Sequence, residues 1–181
     1  RPLRAVDYAC TASKCCQLQD MSVEKAKTLL ENGEGHALAA ALLFSASHGY
    51  GLEIGVSEEE IDNFAFNGVC SLSVHYLVGL GLELMLKAAY IACGGDDSDN
   101  HLRRDIGHDL NTALTMAQER GFESESEHLA ELVGYMNEPY KRHYMRYSRP
   151  DGVFLPDNME QVAAVFETLR NEVRERINQA A

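Results

Sequence analysis

The chain has 181 residues, 45% of them apolar, and a formal net charge of −12. That size suits one domain with a hydrophobic core. The charge disfavours non-specific contact with nucleic acid or an anionic membrane surface, because both need clustered cations.

Trp is absent and Pro occurs four times, a composition that suits helices. Five cysteines stand at 10, 15, 16, 70 and 93. Their number is odd, no CxxC pair exists, and no zinc or disulfide framework follows from the spacing. No metal or other cofactor is expected, and a reducing cytoplasm is the expected compartment. Residue 1 is Arg, so the native start is expected upstream.

Residues 1–20 show no clear period and are expected to form an N-terminal arm. Residues 21–181 are expected to form a single helical domain. Ser22 reads as the N-cap of a helix with apolar Val23, Ala26, Leu29 and Leu30, spaced for one helical face. Gly33 and Gly35 interrupt that pattern and suggest a break before a second Ala/Leu-rich helix from His36 to about Gly49. Ser57 and Glu60 have capping-box spacing before a short helix at Ile61. A long apolar helix is expected from about Leu72 to Cys93, stopping at Gly94-Gly95. Its apolar residues run around most of its circumference, which marks a core helix. Glu83 and Lys87 fall at its middle, where each charge costs about 2.5–3.5 kcal/mol in a membrane, so a buried helix is expected rather than a span.

The polar run 96–105 reads as a loop. Asp109 is placed to cap a helix that ends at Gly121, and Ser124 or Ser126 to cap the next. Pro139 should kink or end that helix. The basic, aromatic segment from Tyr140 to Arg149 then reads as an extension of it or a turn after it. A last amphipathic helix starts near Asp157/Asn158 and carries Val162, Val165, Phe166, Leu169, Val173 and Ile177. No convincing strand appears. The expected fold is all-α, an up-and-down bundle of four to five main helices.

Four groups of residues carry candidate chemistry. Glu83 and Lys87 stand at i, i+4 in apolar surroundings, either as a polar pair lining a pocket or as one solvated stripe. His108 begins a helix, and an imidazole can both donate and accept. It serves either in acid–base work or as a structural partner of Glu83. Arg103 and His108, with four residues between them, form a candidate catalytic pair in which His moves protons and Arg stabilises phosphate charge. Arg142, His143, Arg146 and Tyr147 belong to the densest cationic and aromatic cluster, which can hold phosphate and stack on a base; the alternative is a packed amphipathic helix end.

LGLELMLKAAYIACGG, then GHDLNTALTMAQERGF, then YKRHYMRYSRPDG and a final helix resemble the HEPN superfamily (higher eukaryotes and prokaryotes nucleotide-binding domain) over roughly Ser71 to Ile177. The E-x3-K of the core helix and the H-D-L after it are the better markers. The resemblance implies an α-helical bundle, commonly a homodimer, that either binds nucleotides or partner proteins or acts as an RNase of toxin–antitoxin or phage-defence type. Catalytic members carry an Arg-x4–6-His motif near a later helix. This chain departs there: Arg142 and His143 are adjacent, and Arg103-x4-His108 overlaps the H-D-L position instead. The expected function is therefore a non-catalytic nucleotide-binding or protein-interaction module without a membrane. The alternatives are a metal-independent RNase and a structural partner subunit.

Overall fold

In the computed structural model, residues 6–147, 156 and 158–181 are described, with side chains for 20–145, 156 and 158–181. Among the described residues every regular element is helical: α1 (Val6–Glu53), α2 (Ile61–Asn67), α3 (Ser71–Ala92), α4 (Asp99–His101), a π-helical turn (Leu102–Ile106), α5 (Leu110–Glu119), α6 (Leu129–Lys141), α7 (Tyr144–Tyr147) and α8 (Met159–Ala180). The all-α class is thus as the sequence indicates.

The core is built around α3. Val78, Leu82, Met85, Leu86, Ala88 and Ala89 are all essentially inaccessible, and α1, α5, α6 and α8 pack around them. Ser71–Ala92 is long and apolar enough to cross a membrane, but most of it is buried inside the bundle. Its stop follows the expected glycines: Gly94 N–H donates to Ile91 O and Gly95 N–H to Tyr90 O, the paired bonds of a Schellman end. The same pair closes α5, where Gly121 N–H donates to Gln118 O and Phe122 N–H to Ala117 O.

Several local expectations are overturned. Residues 6–20 of the expected N-terminal arm have helical backbone continuous with residues 21–53, which leaves the arm expectation itself open, whereas Ser22 is interior to α1 instead of its cap. Its hydroxyl donates to Asp97 (2.7 Å). Gly33 and Gly35 do not break the helix. Gly33 is where α1 crosses α3: a Cβ there would lie 2.7 Å from Met85 Cγ and 3.1 Å from Gly81 O. Missing side chains, rather than backbone freedom, explain this glycine, because they let two helices touch. The run 96–105 is largely helical, and Leu102 and Ile106 bury themselves beneath it. Neither Ser124 nor Ser126 caps α6, and no side chain caps α2.

Pro139 lies inside α6, which continues only to Lys141. A proline so near the C-terminus removes one hydrogen bond and tolerates little further helix. The chain then breaks at His143, whose φ is +59°. The segment from Tyr140 to Tyr147 is therefore not one helix.

A second histidine organises the α3–α4 connection. His101 Nδ1 lies 2.7 Å from Asp105 Oδ2, and its Nε2 lies 3.1 Å from the Tyr90 hydroxyl. That hydroxyl also accepts from Asp96 N–H (3.0 Å). Lys25 of α1 reaches Asp99 and the carbonyl of Asp97 from the other side.

Candidate functional site

Gly79, Glu83 and Lys87 are spaced four residues apart and so line one face of α3. The face opens toward the α5 N-terminus and the α6 C-terminus. Tyr140 lies across Gly79 so closely that a Cβ at that position would fall 2.4 Å from its Cδ2. The missing side chain makes the slot for the ring, and the ring delivers its hydroxyl to Glu83 Oε2 at 2.6 Å.

Glu83 is the hub. Lys87 Nζ donates to its Oε1 (2.6 Å), while Tyr140 OH and His108 Nδ1 meet its Oε2, the latter at 2.8 Å. Burial is the largest single influence on this carboxyl and opposes ionisation. The hydrogen bonds from His108, Lys87 and Tyr140, with the Lys87 charge, outweigh it and hold Glu83 below the ordinary carboxylate range. An ionised carboxylate only accepts, so the His108 contact requires the proton on Nδ1. The Nε2 of His108 is then the nitrogen left for a ligand. The side chain of His108 is 46% accessible, against 6% for Glu83.

The turn that presents His108 is held from within. Lys87 Nζ donates a second bond to Gly107 O (2.8 Å). Gly107 has φ +60° and ψ −131°, a region open to glycine and costly for other residues. Asp109 caps α5 as expected, accepting from Thr112 N–H at 3.0 Å. Asn137 of α6 accepts from Leu110 N–H (2.7 Å) and Asn111 N–H (3.3 Å). These two residues occupy the first three free amides of α5, so this helix end offers no vacant anion site. Lys141 reaches the other oxygen of Asp109 and, with Thr112, holds that carboxyl low against partial burial.

The structure therefore brings Glu83, Lys87, His108 and His143 together. The rings of His108 and His143 stand 5.2 Å apart and nearly perpendicular, and the Tyr140 ring lies 5.9 Å from that of His108. Arg142 is exposed and donates to Glu138 (2.8 Å). Arg103 is exposed on the π-helical turn, where its charge acts on Asp99; none of the hydrogen bonds or ion pairs described joins it to His108. Arg146 and Tyr147 lie in α7, but their side chains are outside the described residues. Among the described residues no three His, Cys, Asp or Glu side chains converge as a metal site.

By sequence alone Tyr140 belongs to the cationic cluster, and its partnership with Glu83 is missed. The available signal was Gly79, one turn before the buried carboxylate, which marks a slot for a large side chain. Asn137 carried no such signal, because it caps a helix from 26 residues away. Comparison with family models, with curated proteins and with solved structures returns no match for this chain.

Proposed function

We propose that the chain is a HEPN-like helical module that binds a nucleotide or the phosphate backbone of RNA at His108. The observation that carries the reading is the His108–Glu83 bond. A buried, ionised carboxylate fixes the imidazole by Nδ1 and leaves Nε2 as the second nitrogen of a side chain that is about half exposed. Such a nitrogen donates to a phosphate oxygen when protonated and accepts from a hydroxyl when neutral. Lys141 and Arg142 lie exposed next to His143, held there by Asp109 and Glu138, and a phosphate would exchange with those carboxylates for their N–H donors. Under this reading Glu83, Lys87 and Tyr140 are positioning residues, and the protein pairs as a homodimer.

Fluorescence anisotropy with a labelled single-stranded oligoribonucleotide tests the proposal. His108→Gln should weaken binding about tenfold or more, the size of a charge-assisted hydrogen bond. Glu83→Gln should weaken it less. No binding by the wild-type protein at the highest attainable concentration, or binding unchanged by His108→Gln, overturns it.

A second reading, a metal-independent RNase, is favoured by one observation: two imidazoles, exposed His108 and half-buried His143, stand 5.2 Å apart. One would take the proton from the attacking hydroxyl and the other would protonate the leaving oxygen. Incubation with total RNA in the presence of a chelator separates the two readings. Cleavage lost in His108→Ala supports the RNase; RNA bound but left intact supports the binding module.

A further inference from the structure

The outward face of α1 carries a seam that nothing in the described structure covers. Leu38, Leu42, Ser45, Gly49 and Leu52 are all exposed, and their spacing alternates four and three residues. That is the spacing of a helix-pairing seam. Leu38 is 61% accessible, Leu42 62% and Leu52 47%, and a Cβ at Gly49 would meet nothing. The opposite face of α1, through Gly33, packs on α3. The seam therefore lies away from the α3 crossing, with Leu38 and Ser45 bordering clefts against α8, and the α3 face that holds Glu83 turns toward α5 and α6 instead. The seam is thus separate from the His108 site.

Charge decides what fits it. Between Lys27 and Lys87 the sequence has no Lys or Arg, while Glu31, Glu34, Glu53, Glu58, Glu59, Glu60 and Asp62 fall in that interval ahead of α3; the cation beside Leu38, Arg170 of α8, is matched by Glu167. Exposed Glu31 and Glu53 lie at the two ends of the seam. Glu34 is paired with Arg174 of α8, and Lys27, beyond Glu31, faces Glu24 at 3.9 Å. A second copy laid on this seam brings carboxylate ends against carboxylate ends in either orientation. Anionic lipid and nucleic acid are repelled for the same reason. The apolar span from Leu38 to Leu52 is about 22 Å long at 1.5 Å per residue. A strip that narrow matches one helix rather than a globular surface of about 800 Å².

We infer that the α1 seam docks a single cationic amphipathic helix of a partner protein, with apolar residues at three- and four-residue spacing between Lys or Arg termini. Like charges disfavour self-pairing here, and the same charges select such a partner.

The probe is a synthetic helical peptide with that leucine spacing and Lys/Arg ends, set against the same peptide with Glu in place of every cation. Titration with the full chain should show one-to-one binding of the cationic peptide only, weakening as salt rises. Leu42→Asp should reduce affinity about tenfold or more, and Glu31→Lys with Glu53→Lys should do the same. Glu127→Lys, an exposed carboxylate elsewhere, should leave affinity unchanged. Circular dichroism of each variant confirms that these surface changes leave the fold intact. Equal weakening by Glu127→Lys, no effect of Leu42→Asp, or equal binding of both peptides overturns the inference. Light scattering that finds a dimer dissociated by Leu42→Asp also overturns it, and assigns the seam to a second copy.

Discussion

Glu83 is the residue on which most of the site depends, and its removal leaves a charge behind. In Glu83→Ala the buried Lys87 ammonium keeps only Gly107 O, while Tyr140 and His108 each lose an acceptor. Breaking a buried pair in this way costs about 3–5 kcal/mol, to be read from urea unfolding; a loss below about 1 kcal/mol would mean that the pair is solvated. The pH dependence follows from the direction of the shift. The folded-state carboxyl lies below its ordinary 4.5, so its contribution is complete above that value and is lost as pH falls through the lower folded value. The wild-type protein should lose stability on acidification below pH 4.5, and Glu83→Gln should lose less over the same window. Parallel curves for the two proteins would contradict the assignment. Replacing both Glu83 and Lys87 with apolar residues is a different case, because no charge is stranded; stability should then fall less than in Glu83→Ala, the remaining cost being the acceptor lost by the buried Tyr140 hydroxyl, while His108 loses its anchor.

At the scale of the helix, α1 offers a comparison inside one element. Gly33 sits where a Cβ meets Met85 and the α3 backbone, whereas Gly35 faces open space. Gly33→Ala should destabilise by about 1–3 kcal/mol through overpacking. Gly35→Ala should stabilise by up to about 1 kcal/mol, because alanine restricts the unfolded chain and favours helix. Thermal or urea unfolding of the two single variants checks both signs; two stabilising changes would place Gly33 away from the crossing. The same comparison explains why the helix boundaries here were hard to read. Two glycines two residues apart suggest a break by propensity, and only the packed neighbour shows that one of them is a contact. The caps of α5 and α8 were legible, because Asp109 and Asn158 bond within their own helices. The Asn137 cap was not, since its partner amides belong to another helix.

For the molecule as a whole, the apolar helix at Ser71–Ala92 was legible as the core, and the charges within it were legible as needing partners. His108 was foreseen as one partner because it opens the next helix. Tyr140 was not, since it comes 57 residues after Glu83 and only packing brings it near. The cationic cluster dispersed for a local reason: the chain turns at His143, so Arg142 goes to Glu138 and His143 goes to His108. The uneven charge also has a global effect. A chain of net charge −12 with a cation-free interval of this length repels itself, so added salt should raise the melting temperature by screening. A melt that is flat or falls between low and moderate NaCl would show that the described ion pairs outweigh the self-repulsion.

The Tyr140–Glu83 bond makes the interior readable by light. The chain has no Trp and eight Tyr, so its intrinsic emission comes from phenols alone. A phenol that donates to a carboxylate absorbs and emits differently from one in water, and the Tyr140 ring is buried. Any event at His108 that shifts the Glu83 carboxylate should therefore register as a change in a tyrosine band. The protein carries its own optical reporter for that site, with no label attached.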